Sequence, residues 1–355
     1  MSVDFFARAE QTWQAMNQRF RAAGTGLYYE RVQRLPTDRN FSELWPYSGV
    51  VSAANALAAH SQCGERYYAA LRQALAGLEA YYDAAARPAA YDSYLLDEGG
   101  AQKYYDDNEW LGIEFIRAYR TLQEPADLDR ARAMFDFALS GWSEAMGGGI
   151  YWRENDPETK NTCSNGPAAV LALLLYEETA EKSYLEAAQR ILAWNQALLS
   201  AQTGVYLDAV KADGSVDERT FTYNTGTPLH ASALLYRITG AEEYLQQARA
   251  LAAAALRHFG RLDLHSGERI LPNTPWFNAV LLRGCLELYR VDPDHDPTYV
   301  HFFQANLNYA WEHARAADGS FTPDWSGQTE LDSPVRWLLD QAAMVELFAL
   351  VAEIA

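Results

Sequence analysis

The chain has 355 residues, of which 49% are hydrophobic and 21% charged. That is enough apolar material for a large core and too little charge for an extended disordered chain. A formal net charge of -18 repels nucleic-acid phosphates and anionic membranes alike, which argues against both as partners.

The first residues, Met1 to Arg8, lack the basic and apolar regions of a secretory signal. No stretch approaches the roughly 18 uninterrupted apolar residues of a membrane span. Cys63, Cys163 and Cys285 are far apart and odd in number, which suits reduced thiols. These features predict a cytoplasmic chain, although a secreted protein stripped of its leader would read the same way.

After a first helical segment, Val3 to Ala23, two helix classes alternate. Segments opening at Trp45, Asp107, Asn165, Gly226, Thr274 and Pro334 are apolar all round, the mark of helices buried on most sides. The openings are 48 to 62 residues apart, which defines an internal repeat. Between them lie amphipathic segments: Glu65 to Tyr82, Asp127 to Ala145, Tyr184 to Leu199, Tyr244 to Phe259 and Tyr299 to Ala316. Six buried and six outer helices predict an all-α, single-domain (α/α)6 barrel over residues 1–355, with an open solenoid of helix pairs as the alternative. Gly-led extended stretches at Gly148–Trp152, Gly204–Asp208 and Gly319–Thr322 predict short hairpins on the face where the inner helices begin.

The sharpest chemical feature is Lys103-Tyr104-Tyr105-Asp106-Asp107-Asn108-Glu109-Trp110, at the start of the second inner helix. One Asp there is what capping requires. Two adjacent carboxylates beside Glu109 repel each other, and repulsion with desolvation raises one pKa. The result is an acid beside a base, as glycoside hydrolysis needs. Other inner helices open on Cys163-Ser164-Asn165-Gly166-Pro167, Thr222-Tyr223-Asn224-Thr225-Gly226, Asn273-Thr274-Pro275-Trp276 and Asp332-Ser333-Pro334. Ser, Thr, Asn and Pro at such places also serve as caps and first-turn residues. The functional reading is a rim where amides meet sugar hydroxyls and the rings of Trp45, Trp152, Trp276 and Trp325 meet sugar faces.

Phosphate-binding loops, dinucleotide fingerprints and the H-E-x-x-H zinc motif are missing from the sequence. The run Asp292-Pro293-Asp294-His295-Asp296 departs from a calcium loop at Pro297 and Phe303 and reads as a solvated turn. No cysteine pair has metal-ligand spacing.

With these motifs in place, the chain resembles glycoside hydrolase family 76, the endo-α-1,6-mannanase family. The run from Tyr105 to Trp110 carries the likeness, with Trp45-Pro46-Tyr47, Gly149-Ile150-Tyr151-Trp152, Val205-Tyr206-Leu207-Asp208 and Tyr223-Asn224-Thr225-Gly226. The likeness spans roughly residues 1–350. It implies an (α/α)6 barrel and a retaining mechanism, with Asp106 as nucleophile and Asp107 as acid and then base. It places Asp208 in substrate binding and requires no metal or cofactor. Tyr105, Asn108, Trp110, Asn165, Tyr223, Asn224 and Asn273 join the tryptophans as expected substrate contacts. Thr225 stands where the family has Gln, which points to an altered subsite. A cytoplasmic enzyme of this kind would trim imported manno-oligosaccharides.

Three other functions fit the same barrel, and for one of them, an unsaturated-uronyl hydrolase, the acidic substrate would want a basic cleft, which the net charge of -18 disfavours. A sugar epimerase of the N-acylglucosamine epimerase type needs facing histidines, and only His230 lies on an inner helix. A catalytically inactive carbohydrate-binding protein would not need the Asp pair.

Overall fold

The computed structural model describes residues 3–61, 65–262, 267, 269–272, 274–326, 331 and 336–354. Cys63, Asn273 and the Asp332-Ser333-Pro334 run lie outside them. Twelve α-helices occur among the described residues: α1 (Phe5–Phe20), α2 (Leu44–Ala59), α3 (Glu65–Gly77), α4 (Tyr105–Leu122), α5 (Pro125–Ser140), α6 (Thr162–Thr179), α7 (Lys182–Leu199), α8 (Thr222–Thr239), α9 (Glu242–Phe259), α10 (Pro275–Val291), α11 (Thr298–His313) and α12 (Leu338–Ala352). The even-numbered helices are buried on most sides and the odd-numbered ones on one face. The alternation expected from the sequence is therefore present throughout.

The repeat is also visible in how the helices stop. The helices α4, α6 and α8 each run for 18 residues and end on a left-handed residue, Gln123, Ala180 and Gly240. In each case that residue's N–H donates to the carbonyl of a tyrosine four residues back, Tyr119, Tyr176 or Tyr236. This closes the last turn and satisfies carbonyls that the helix end would otherwise orphan.

The buried helices begin at different places from those expected. The sequence openings Asn165 and Gly226 lie three and four residues inside α6 and α8, and Asp107 lies two inside α4. Pro167 and Pro228, which look like first-turn prolines, sit inside their helices. Because proline has no N–H, the carbonyls of Cys163 and Asn224 lose their partners four residues ahead. Glycine then permits close helix contact: a Cβ on Gly166 would lie 2.1 Å from the Thr227 hydroxyl, and one on Gly226 would lie 2.7 Å from the Leu281 Cα.

The contacts divide into two compact units, Met1–Ala80 with Phe259–Ala279 and Thr298–Ala355, and Tyr81–His258 with Val280–Pro297. The first contains α1, α2, α3, α11 and α12, and an antiparallel pair, residues 261–262 with 269–270. The second contains α4 to α8 and its own short strands, β1 (Tyr82–Asp83), β2 (Ala90–Tyr91), β3 (Thr159–Asn161), β4 (Leu207–Lys211) and β5 (Val216–Thr220). Strands β3, β4 and β5 form one antiparallel sheet, with β4 central. The Gly148–Trp152 stretch is not an independent hairpin: Ile150 bridges to Trp142, and the Trp152 N–H donates to the Thr159 carbonyl. Nor is the 292–296 run simply a solvated turn, because Asp292 is buried and accepts from the Arg249 Nε at 2.7 Å.

Candidate active site

Three successive buried helices carry the candidate site in the second unit. Asp106, Cys163 and Tyr223 are each the second residue of their helix, α4, α6 and α8. The Cys163 thiol lies beside the Asp106 carboxylate and favours its anion, and Tyr223 and Cys163 interact in turn. The Trp152 indole N–H reaches Asp106 Oδ2 at 3.2 Å, and the Asp107 backbone N–H reaches Asp106 Oδ1 at 3.1 Å. Asp106 thus collects two donors, and both, with the Cys163 thiol, favour its anion.

Burial opposes these donors and pushes the Asp106 pKa up to about 6. The balance leaves it ionised at neutral pH. Glu109, one turn further along α4, is fully buried, and neither carboxyl oxygen has a hydrogen-bond partner of good geometry among the described residues. Burial, and secondarily the negative charge of Asp106, holds its pKa well above the usual carboxylate range. Both effects favour the neutral form of Glu109. The sequence expected one member of the Asp pair to be raised; burial raises Asp106, and Glu109 as well. Burial likewise raises the Cys163 and Tyr223 pKa values well above their usual ranges, which keeps both groups protonated as donors.

Asp208, at β4, is buried. Its Oδ1 accepts from Asn224 Nδ2 at 3.1 Å and its Oδ2 from Arg219 Nη2 at 2.9 Å. Burial raises its pKa against these two donors. Asn224 is itself completely buried, and its Oδ1 has no partner among the described residues. Trp152 is the exposed aromatic of this site, 36% accessible, with its ring centroid 5.1 Å from that of Tyr104.

Several expected sugar contacts have other tasks. Asn108 accepts from the Tyr91 N–H (2.7 Å) and donates to the carbonyls of Tyr91 (3.0 Å) and Tyr104 (2.8 Å). Asn165 accepts from the Ile150 N–H (2.8 Å) and donates to the carbonyls of Ile150 (3.0 Å) and Asn161 (2.8 Å). Gln341 makes the same set with Phe321 and Trp337. Each is the fourth residue of its helix. Each clamps an extended segment to a buried helix, with both amide hydrogens already used. Thr225 occupies the equivalent place in α8 and accepts from the Tyr206 N–H at 3.2 Å. Its replacement of Gln therefore changes a clamp and not a sugar subsite.

Burial removes four more candidates. Tyr105 lies against Phe137 and over Gly141 in the contact of α4 with α5. Trp110 is 5% accessible and Trp276 3%, which leaves too little ring face for a sugar. In the first unit, half-buried Trp45 packs edge-on against Trp276 (5.5 Å) and Trp337 (5.3 Å). Trp325 is also buried. Asn273 lies outside the described residues.

Cys163 is the functional candidate that the sequence reading passed over. Its signal was its place beside the Ser-Asn-Gly run, hidden by the misplaced start of α6. His230, the basis of the epimerase reading, is held neutral: burial and the guanidinium groups of Arg283, Arg237, Arg290 and Arg117 push its pKa down to about 3. Among the described residues no group of three or more His, Cys, Asp or Glu side chains has metal-holding geometry. No helix there is long and apolar enough to cross a membrane.

A mannan endo-1,6-α-mannosidase of Candida glabrata is 29% identical over 186 residues, 48% of this chain and 42% of that protein. The match thus spans about two fifths of the relative's length. The family 76 mannosidase structure from Bacteroides thetaiotaomicron superposes with a TM-score of 0.90 at 25% identity, covering 99% of both chains. An α-1,6-mannanase from a Salegentibacter species, inactivated by replacing two consecutive aspartates with asparagine and bound to α-1,6-mannotriose, shares the fold with a TM-score of 0.84 at 24% identity. It covers 99% of this chain and 100% of that one. The (α/α)6 class expected from the repeat is the fold shared with these enzymes. The profile of glycosyl hydrolase family 76 matches residues 7–353, and the chain belongs to that family.

Proposed function

We propose that this chain is a retaining glycoside hydrolase that cleaves α-1,6-mannosidic linkages in mannan or manno-oligosaccharides, working as one catalytic domain. The observation that carries the reading is Asp106: a half-buried carboxylate, fixed by two donors, directly preceding a second carboxylate in the first turn of α4. A carboxylate so held is oriented for attack on an anomeric carbon with little reorganisation. Asp107, half-buried beside it, protonates the leaving oxygen and then activates water, as retention requires of the second group.

Asp208, oriented by Asn224 and Arg219, offers an acceptor for a sugar hydroxyl, and the exposed Trp152 ring offers a stacking face. Tyr223 lines the same group of residues. The name of the Candida relative supports the α-1,6-mannoside, and the paired substitutions in the Salegentibacter enzyme are in line with the roles given to the two aspartates.

Product analysis on α-1,6-mannobiose, longer oligomers and mannan, with NMR of the first-formed anomer, tests the proposal. Cleavage with the α-anomer appearing first is expected. Absence of cleavage of every α-1,6-mannoside overturns the substrate, and a β-anomer appearing first overturns the roles of the aspartates.

A further inference from the structure

Lys160, in the middle of β3, is completely buried. Its ammonium donates to the carbonyls of Ser143, Ala145 and Gly148, each at 2.7 Å, and lies 3.0 Å from the Ser143 hydroxyl. The Tyr151 ring centroid is 4.5 Å from the nitrogen. Three carbonyls and a hydroxyl around one positive charge, with an aromatic face beside it, form the ligand set of a cation site. Here the cation is part of the chain.

The segment that supplies these carbonyls has an improbable backbone. Met146, Gly147, Gly148 and Gly149 have φ values of 56°, 76°, 117° and 87°. Four successive residues with positive φ, one of them not glycine, persist only where their surroundings over-determine them. Without a central cation, carbonyl dipoles aimed at one point repel each other. The segment then leads directly to the site. Ser143 N–H donates to the Gly149 carbonyl, Tyr151 N–H to that of Gly141, and Trp152 N–H to that of Thr159, the neighbour of Lys160. Trp152 in turn donates its indole N–H to Asp106.

We propose that Lys160 is a tethered internal cation that positions Trp152 against Asp106. It is a positioning residue, acting on Asp106 through the 143–152 segment. Burial lowers its pKa to about 8, and Glu144 is the acidic neighbour that opposes this; the ammonium is thus charged at neutral pH. The inference rests on Asp106 as nucleophile only for its effect on turnover, so the decisive measurement needs no substrate.

The experiment compares Lys160→Met, Trp152→Phe and the double variant in the full chain. Carboxyl-carbon NMR follows the titration of Asp106, and turnover of α-1,6-mannotriose is measured alongside. Both single variants should move the Asp106 titration upward, with the double variant moving it no further than Trp152→Phe alone. Lys160→Met should lower kcat/KM by about 10- to 100-fold, as expected for a lost hydrogen bond to a charged group. Propylammonium, which replaces the atoms missing from Lys160→Ala, should restore part of that activity, whereas tetramethylammonium at equal ionic strength should not.

Additive effects in the double variant, or an unmoved Asp106 titration, overturn the proposal. If the Lys160 variants do not fold, the wild-type protein decides: the Lys160 ammonium should give a slowly exchanging NMR signal, and exchange as fast as that of the exposed lysines refutes the cage. A wild-type protein that cleaves no mannoside overturns the proposed function, while the titration still tests the positioning.

Discussion

Replacing Asn165 by alanine separates a clamp from a sugar contact. The substitution removes a partner from three buried backbone groups: the Ile150 N–H, the Ile150 carbonyl and the Asn161 carbonyl. Each unsatisfied buried group costs about 1–3 kcal/mol, and the Ser164 hydroxyl, 3.2 Å from the Asn161 carbonyl oxygen and 3.5 Å from that of Ile150, remains a donor for one of the two carbonyls. A net loss of about 3–5 kcal/mol is expected. Thr225→Ala removes a single bond, from the Tyr206 N–H, and should cost about 1–2 kcal/mol on the same scale. Urea unfolding, read as midpoint and slope, measures both, and Michaelis parameters on an α-1,6-mannoside are taken well below the transition. Stability should fall in the order of bonds lost, with KM little changed in the surviving folded protein. A stable Asn165→Ala enzyme with a strongly raised KM would refute the clamp and return Asn165 to the substrate.

Asp106→Asn should lower kcat by roughly four orders of magnitude or more, as loss of an essential nucleophile does, measured on the same mannoside with protein whose circular dichroism matches wild type. Activity of the wild type should rise with pH through about 6, because the nucleophile must lose its proton and its pKa lies there; a pH profile of kcat/KM reads this directly. Cys163→Ala removes a group that favours the Asp106 anion, so that limb should move to higher pH, while Cys163→Ser should restore it. Asp340 is buried with its pKa raised to about 7. The folded state therefore holds this proton between about pH 4 and 7 while the unfolded state releases it, and stability falls by about 4 kcal/mol as pH rises across that window. Asp340→Asn should flatten this pH dependence in urea titrations.

The alternation of helices was legible because burial is written in composition. Helix α6 buries 14 of its 18 residues, and such a segment cannot resemble the one-faced α7 beside it. What composition could not supply was the register. Asn165-Gly166-Pro167 and Gly226-Thr227-Pro228 look like helix beginnings, since Gly and Pro usually punctuate, yet both lie inside helices that have already started. The error is three residues in α6, four in α8 and two in α4, so positions that are equivalent in space did not coincide in the sequence repeat. With the helices aligned on their observed starts, the second positions give Asp106, Cys163 and Tyr223, and the fourth give Asn108, Asn165, Thr225 and Gln341.

The two sets also explain why part of the site was misread. A carboxylate pair among aromatics has few structural uses, so Asp106 and Asp107 stood out. An amide near a helix start serves a sugar or a backbone equally well, and the partners that decide between them, Tyr91 and Ile150, lie 17 and 15 residues earlier on another segment. Lys160 shows the same limit from the other side. In Thr159-Lys160-Asn161 a lysine reads as a solvent-facing strand residue, since lysine is almost never fully buried without partners. Its partners are three carbonyls, which no side-chain pattern records. Carboxylate chemistry could thus be inferred from residue types, but the support that orients it is made largely of backbone and becomes visible only when the chain is folded.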